Sequence, residues 1–448
     1  MMSFLSIPLL AMALTCPREL STGETATGDM PILLTMRERG ELRDRWLEER
    51  LTSVVPALMR REGIDLWIVT AREYDEDPVI QTMLPATWLR ARRRTTLVFH
   101  DAGPERGVER YAVARYDVGV FKKSWNKEQQ PDQWARLADL VASLDPQKIA
   151  LNTSRTFALA DGISSTEREQ LLEALPESLH GRIVSGEALA IGWLETRTPA
   201  ELEVFPTICR IAHEIIAEGL SLQAVQPGVT TTSDLEWWYR ERIRELKLVT
   251  WFHPSVSVQR ADAAPHSGTF SSKPGERTIH RGDLVHVDFG ITYLGLNTDT
   301  QQHAYVLRAG EDAAPQGLVD GLAVGNRAQD ILMENFVAGR TGNEILLASL
   351  EQAKAEGIAA TIYTHPLGYH GHGAGPTIGL WDQQEGVPGR GDYPLYANTA
   401  HSIELGVRVV VPEWDGQEVN VMLEEDAVFD GETTRFLDGR QTELILIR

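Results

Sequence analysis

The chain has 448 residues, enough for two or three domains that each bury a core of their own. Its formal charge of −21 argues against nucleic acid as a partner, because that affinity depends on clustered Lys and Arg. Two cysteines, Cys16 and Cys209, exclude a disulfide framework and a thiolate metal cage.

Residues 1–30 open with an apolar stretch from Phe4 to Leu14, followed by polar sequence containing Gly and Thr. This reads as an export leader, periplasmic or secreted, although no Lys or Arg precedes the apolar stretch; a disordered leader is the alternative. No run reaches the roughly 18 apolar residues of a membrane helix, so no stable span is expected. Next, "MRERGELRDRWLEERLTSVVPALMRREG" carries Leu42, Trp46, Leu51, Val55 and Leu58 near helical spacing and stops at Gly63. The runs "IDLWIVT", "TTLVFH", "ERYAVARY" and "KIALN" read as strands, with helical stretches such as "PDQWARLADLVASL" between them. This alternation predicts an α/β domain over residues 31–192. The basic run Arg90–Arg94 leads into a strand and reads as a solvated loop.

A break follows. Thr198, Pro199 and Glu201 form a capping box with proline at the first helical position, and Leu202, Phe205, Ile208, Ala212 and Ile215 give that helix one apolar face. Pro206 is expected to kink or weaken its early turns. A second amphipathic helix lies in "TTSDLEWWYRERIREL". From about residue 255 strands dominate, with one more helix in 342–357, so residues 193–448 are expected to form an α+β unit of helices on a largely antiparallel sheet.

The acids of this second unit stand where sequence economy disfavours them. In "GDLVHVDFGITYLGLNTDTQQHAYVL" the alternation of Val285, Val287 and Phe289 marks a half-buried strand that contains Asp288, and Asp299 precedes another. "AHSIELGVRVVV" holds Glu404, and "VNVMLEEDAVF" holds Glu424, Glu425 and Asp426. "THPLGYHGHGAGPTIGLWDQQ" sets His365, His370 and His372 among glycines. A lone strand acid is ordinarily an edge or salt-bridge residue, and a lone histidine among glycines a loop donor. Together, four acids and a histidine in apolar strands repel one another unless cations lie among them. Two divalent ions roughly 3.5–4 Å apart, bridged by carboxylates, would answer that repulsion and generate a hydrolytic nucleophile without Ser or Cys.

The order Asp, Asp eleven residues later, His in a glycine-rich stretch, Glu in "SIELG" and Glu before Asp resembles the pita-bread metallopeptidases. These form family M24, with methionine aminopeptidase, aminopeptidase P and prolidase. The family's forms run "VDFG…sD", "GHGIG", "TIEPG" and "RIED", and the resemblance covers about residues 193–448. Residues 31–192 match the creatinase/prolidase N-terminal domain in size and position, so the resemblance is closest to the Xaa-Pro peptidases. It implies an enzyme acting on proline-containing peptides, two divalent ions with Mn²⁺ first and Co²⁺, Zn²⁺ or Fe²⁺ as alternatives, and a homodimer. By this resemblance Asp288 chelates one ion, Asp299 and Glu425 bridge both, and a histidine and Glu404 complete the second. Glu404 also moves a proton, and His266 contacts substrate.

Two positions stay open. "HPLGYH" resembles the prolidase "HGLGH" with one insertion, which favours His370 as ligand with His372 near the substrate, whereas the intact H-x-x-G from His372 favours the reverse. Adjacent strand residues face opposite ways, so only one of Glu424 and Glu425 can face the ions; the following Asp426 favours Glu425. The family's later histidine, seven residues after the ligand, is missing, with Thr377 or Gly379 at its place, and Leu423 stands where "RIED" has arginine. Two other functions fit the same scaffold: a metal-free C–N hydrolase like creatinase, and a non-catalytic peptide-binding relative.

Overall fold

A computed structural model describes residues 30–261 and 275–448. The leader and His266 therefore lie outside the described residues. The first helix, Met36–Glu62, starts on a Thr35/Glu38 capping box and ends at Gly63, whose φ of 59° is the left-handed conformation that closes helices. It covers a six-stranded mixed sheet ordered 122–123, 108–114, 95–101, 66–71, 149–151 and 183–185. Strand alternation sorts the sheet's two faces. Trp67 and Val69 pack with the first helix and with Glu187–Glu195, while Leu66 and Ile68 pack with the helices Gln133–Leu144 and Ser165–Ala174. The result is an α/β layer structure.

The helix Pro199–Gly219 begins on the expected Thr198/Glu201 capping box and runs through Pro206 without a break. With Thr232–Glu245 it packs against a four-stranded sheet ordered 445–447, 300–306, 284–289 and 255–259. Two further sheets follow. One has three strands (360–362, 405–411, 417–423), and the other has four (365–367, 399–402, 426–429, 434–436). All these pairings are antiparallel except 300–306 with 445–447.

One helix, Gln316–Glu334, is absent from the sequence expectation. Its stretch contains Gly317, Gly321 and Gly325, each of which costs about 1 kcal/mol of helix propensity relative to Ala. The structure shows what the glycines do. At four-residue spacing they share a face, and an added Cβ would stand 2.8 Å from Val409 at Gly321 and 2.7 Å from Leu423 at Gly325. The helix thus lies directly on the strands Leu405–Val411 and Gln417–Leu423, whose ends lead to Glu404 and Glu424. Among the described residues, no helix is long and apolar enough to cross a membrane.

Candidate metal centre

Val285, Val287 and Phe289 are committed to the helix-packed core, so alternation turns His286 and Asp288 to the opposite face of their strand. Asp299 sits just before the neighbouring strand Thr300–Val306. Its backbone N–H donates to Asp426 Oδ1 at 3.2 Å, and Cys209 Sγ holds the other Asp426 oxygen at 3.4 Å. Glu404 and Glu424 occupy equivalent places. One chain segment leaves the four-stranded sheet at Ser402 and joins the three-stranded sheet at Leu405; its partner leaves at Leu423 and rejoins at Asp426. Both glutamates therefore stand at the step between sheets. The Glu404 backbone is fixed by Thr364, whose Oγ1 accepts from Glu404 N and donates to Glu404 O, both at 2.9 Å.

Into this step comes His365, the first residue of the strand His365–Leu367. Its Nδ1 pairs with the Pro366 carbonyl at 3.1 Å, which leaves Nε2 toward the acids: 3.5 Å from Asp299 Oδ2, 3.5 Å from Glu424 Oε1 and 3.9 Å from Glu404 Oε2. Three overlapping groups, each with ligand atoms within 4.8 Å of one another, result: Asp288–Asp299–Glu424, His365–Glu404–Glu424, and Asp299–His365–His372.

The electrostatics show what these groups need. Burial, then Glu424 and Asp288, pushes the Asp299 carboxyl well above the ordinary range; burial and Glu424 do the same to Glu404. Burial lowers the basicity of His365, but Glu424 and Glu404 outweigh it and lift the imidazole to about 9. Carboxylates this close are stable together only with positive charge among them. Hard oxygen donors with imidazole are the ligand set of a hydrolytic divalent ion, so the residues present fit a metal.

The structure brings Asp288, Asp299 and Glu404 close together, and places two other residues of the sequence reading elsewhere. His370 belongs to none of the groups. Its ring lies against the Pro78 carbonyl, where burial lowers its basicity. His365 stands among the acids instead. The signal was in the sequence: H-x-x-G also falls on His365 and Gly368, and seven residues beyond His365 is His372, the later histidine that the other register lacked. His372 lies at the exposed rim, its ring 4.7 Å from that of His365 and 5.1 Å from that of Trp251.

The second departure is Glu425. The alternation rule holds, but Glu424 is the member that faces the acids. Glu425 turns away to His213 Nε2 at 2.7 Å, Gln302 Nε2 at 3.2 Å and Gln441 N at 3.1 Å. His213 also pairs with Asp438 at 2.9 Å. Burial works against its charge, yet the two carboxylates raise the imidazole to about 10, so Glu425 is spent on a buried ion pair. A histidine from a distant helix gave the sequence no local sign of this.

Residues 206–430 match the model of metallopeptidase family M24. The chain belongs to this family. It is a metallopeptidase, and its acid–histidine cluster lies within the matched region. No curated protein matches it by sequence. Among solved structures, an X-Pro aminopeptidase from Thermotoga maritima is similar with a TM-score of 0.60 at 17% identity, over 87% of this chain and 100% of that one. A Bacillus anthracis Xaa-Pro dipeptidase gives 0.53 at 17% identity, over 92% and 100% of the two chains. A Pyrococcus horikoshii prolidase gives 0.52 at 13%, over 91% and 100%. These likenesses show the fold: a pita-bread unit preceded by an α/β N-terminal domain.

Proposed function

We propose that this M24 peptidase hydrolyses the Xaa-Pro amide bond at the start of a peptide or within a dipeptide, using two divalent ions, Mn²⁺ first among the candidates. The observation that carries the dinuclear reading is the overlap of the three groups. Asp299, Glu424 and His365 belong to two groups each, and of these only the two carboxylates carry a pair of oxygens with which they could bridge two ions; Asp288 would serve one side and His365 and Glu404 the other. Bound at such a centre, divalent ions polarise a carbonyl and supply a nucleophilic hydroxide near neutral pH.

The protein's own residues do the rest. Glu404, held by Thr364, accepts a proton at its carboxylate and passes it toward the leaving imino nitrogen. His372, at the rim beside His365, hydrogen-bonds the peptide or the developing oxyanion. Proline's tertiary amide has no N–H to recognise, so specificity rests on shape. Trp251 and Phe252, their ring centroids 4.5 Å apart, form an apolar wall beside His372 that a pyrrolidine ring could lie against. Trp251 Nε1 donates to the Thr298 carbonyl next to Asp299, so the wall is fixed to the cluster.

The test is turnover of Gly-Pro beside Gly-Pro-Pro, with Mn²⁺ and with a chelator. Cleavage of the tripeptide alone identifies an aminopeptidase P, and of the dipeptide alone a prolidase. Turnover that survives exhaustive chelation moves the assignment to a metal-free hydrolase on this fold.

A further inference from the structure

Between Glu404 and Glu424 lies a buried amide. Gln301, 1% exposed in the strand Thr300–Val306, points its Nε2 at Glu404 Oε1 (2.6 Å) and Glu424 Oε2 (2.7 Å). With both glutamates ionised, as they are once cations lie among them, the carboxylates only accept, so the amide nitrogen must face them, and each of its two protons goes to a different glutamate. The carbonyl oxygen then faces the other way and requires a donor. His286 supplies it, with Nε2 at 2.9 Å from Gln301 Oε1. This contact fixes both the rotation of the amide and the proton on His286 Nε2. The backbone holds Gln301 in the same place: its N–H donates to the Glu424 carbonyl at 3.0 Å, and it pairs in register with Asp288.

We infer that Gln301 is a positioning residue, held in one orientation by His286, that clamps the carboxylates of Glu404 and Glu424 in the geometry that receives the ions. The inference rests on the metallopeptidase reading. It assigns a function to two polar residues that otherwise stand buried in an apolar strand pair without purpose. A glutamate whose oxygen is already engaged by an N–H retains a lone pair for a cation but loses freedom to rotate away, and partners of this kind typically carry a 10–100-fold effect on metal affinity.

The experiment measures Mn²⁺ affinity by calorimetry on the full chain, without substrate, for the wild type, Gln301→Met, His286→Phe and the double variant. Methionine conserves volume and removes both donors. Gln301→Met is expected to weaken Mn²⁺ binding by about 10–100-fold. His286→Phe is expected to weaken it less, and the double variant no further than Gln301→Met, because His286 acts through Gln301. The visible absorption of the Co²⁺-loaded protein should change in both single variants, a signature that a merely structural role does not produce. If Gln301→Met does not fold, His286→Phe alone reads the same effect. Wild-type affinity in these variants overturns the inference, and additive losses remove His286 from it. A wild type that binds no metal instead overturns the metallopeptidase reading beneath it.

Discussion

Glu424 and Glu425 are neighbours in sequence with opposite environments, and exchanging each for glutamine should produce opposite effects. Glu424→Gln removes one anion from a cluster of four acids. The metal-free protein should change little in stability, because the relief of Asp299 and Glu404, raised by burial and then by Glu424, is set against the loss of Glu424's attraction for the His365 imidazole. It should also lose the stabilisation that bound metal confers. That stabilisation is about 2.7 kcal/mol at a hundredfold excess over Kd, and vanishes when the ligand set is broken. Glu425→Gln breaks the buried pair with His213, leaving an imidazolium with Asp438 as its remaining carboxylate. Removing one partner of such a pair costs roughly 3–5 kcal/mol. The metal-free protein should therefore unfold at lower urea, yet keep its gain on adding Mn²⁺. The assay is urea unfolding of the wild type and both variants, with and without Mn²⁺. Retained metal stabilisation in Glu424→Gln, together with its loss in Glu425→Gln, would refute the assignment.

Other outcomes follow from the same structure. Glu195 is buried with Tyr393 as its hydrogen-bond donor, and burial raises its carboxyl to about 8. Because the folded state holds this proton more tightly than the unfolded chain, stability should fall as pH rises from about 4.5 to 8, by up to about 1.4 kcal/mol per unit. Glu195→Gln should flatten that slope in urea melts at pH 5 and pH 8; an unchanged slope would contradict it. Arg50, on the first helix, pairs with Glu201 at 3.0 Å with both side chains fully buried, so Arg50→Met should cost about 3–5 kcal/mol. Arg50→Met with Glu201→Gln should cost less than the two single losses summed, measured by the same melts. Gly321→Leu should push the helix Gln316–Glu334 off Val409, costing about 1–3 kcal/mol despite its better helix propensity. A gain in stability there would show that the glycine face is not needed.

The sequence made the scaffold legible where local rules act alone. The Thr198/Glu201 box, the first helix with its Gly63 stop and the alternation around Asp288 all stand as read. It failed where a contact from far along the chain decides. The three glycines of Gln316–Glu334 suppress a helix locally and permit it only through the sheet beneath. The choice between Glu424 and Glu425 depended on His213, more than 200 residues away and drawing Glu425 aside. Which histidine stands among the acids was a question of register, and His365 carried both H-x-x-G and a partner histidine seven residues on. Gln301 was unreadable, since a strand glutamine is ordinary until its two acceptors and its donor are seen around it.

The most direct test of the central claim is anomalous diffraction from a crystal of the protein grown with Mn²⁺. Two peaks should be found, one among Asp288, Asp299 and Glu424 and the other among Asp299, His365, Glu404 and Glu424. A peak at His370 or Glu425, or none at saturating Mn²⁺, would contradict it.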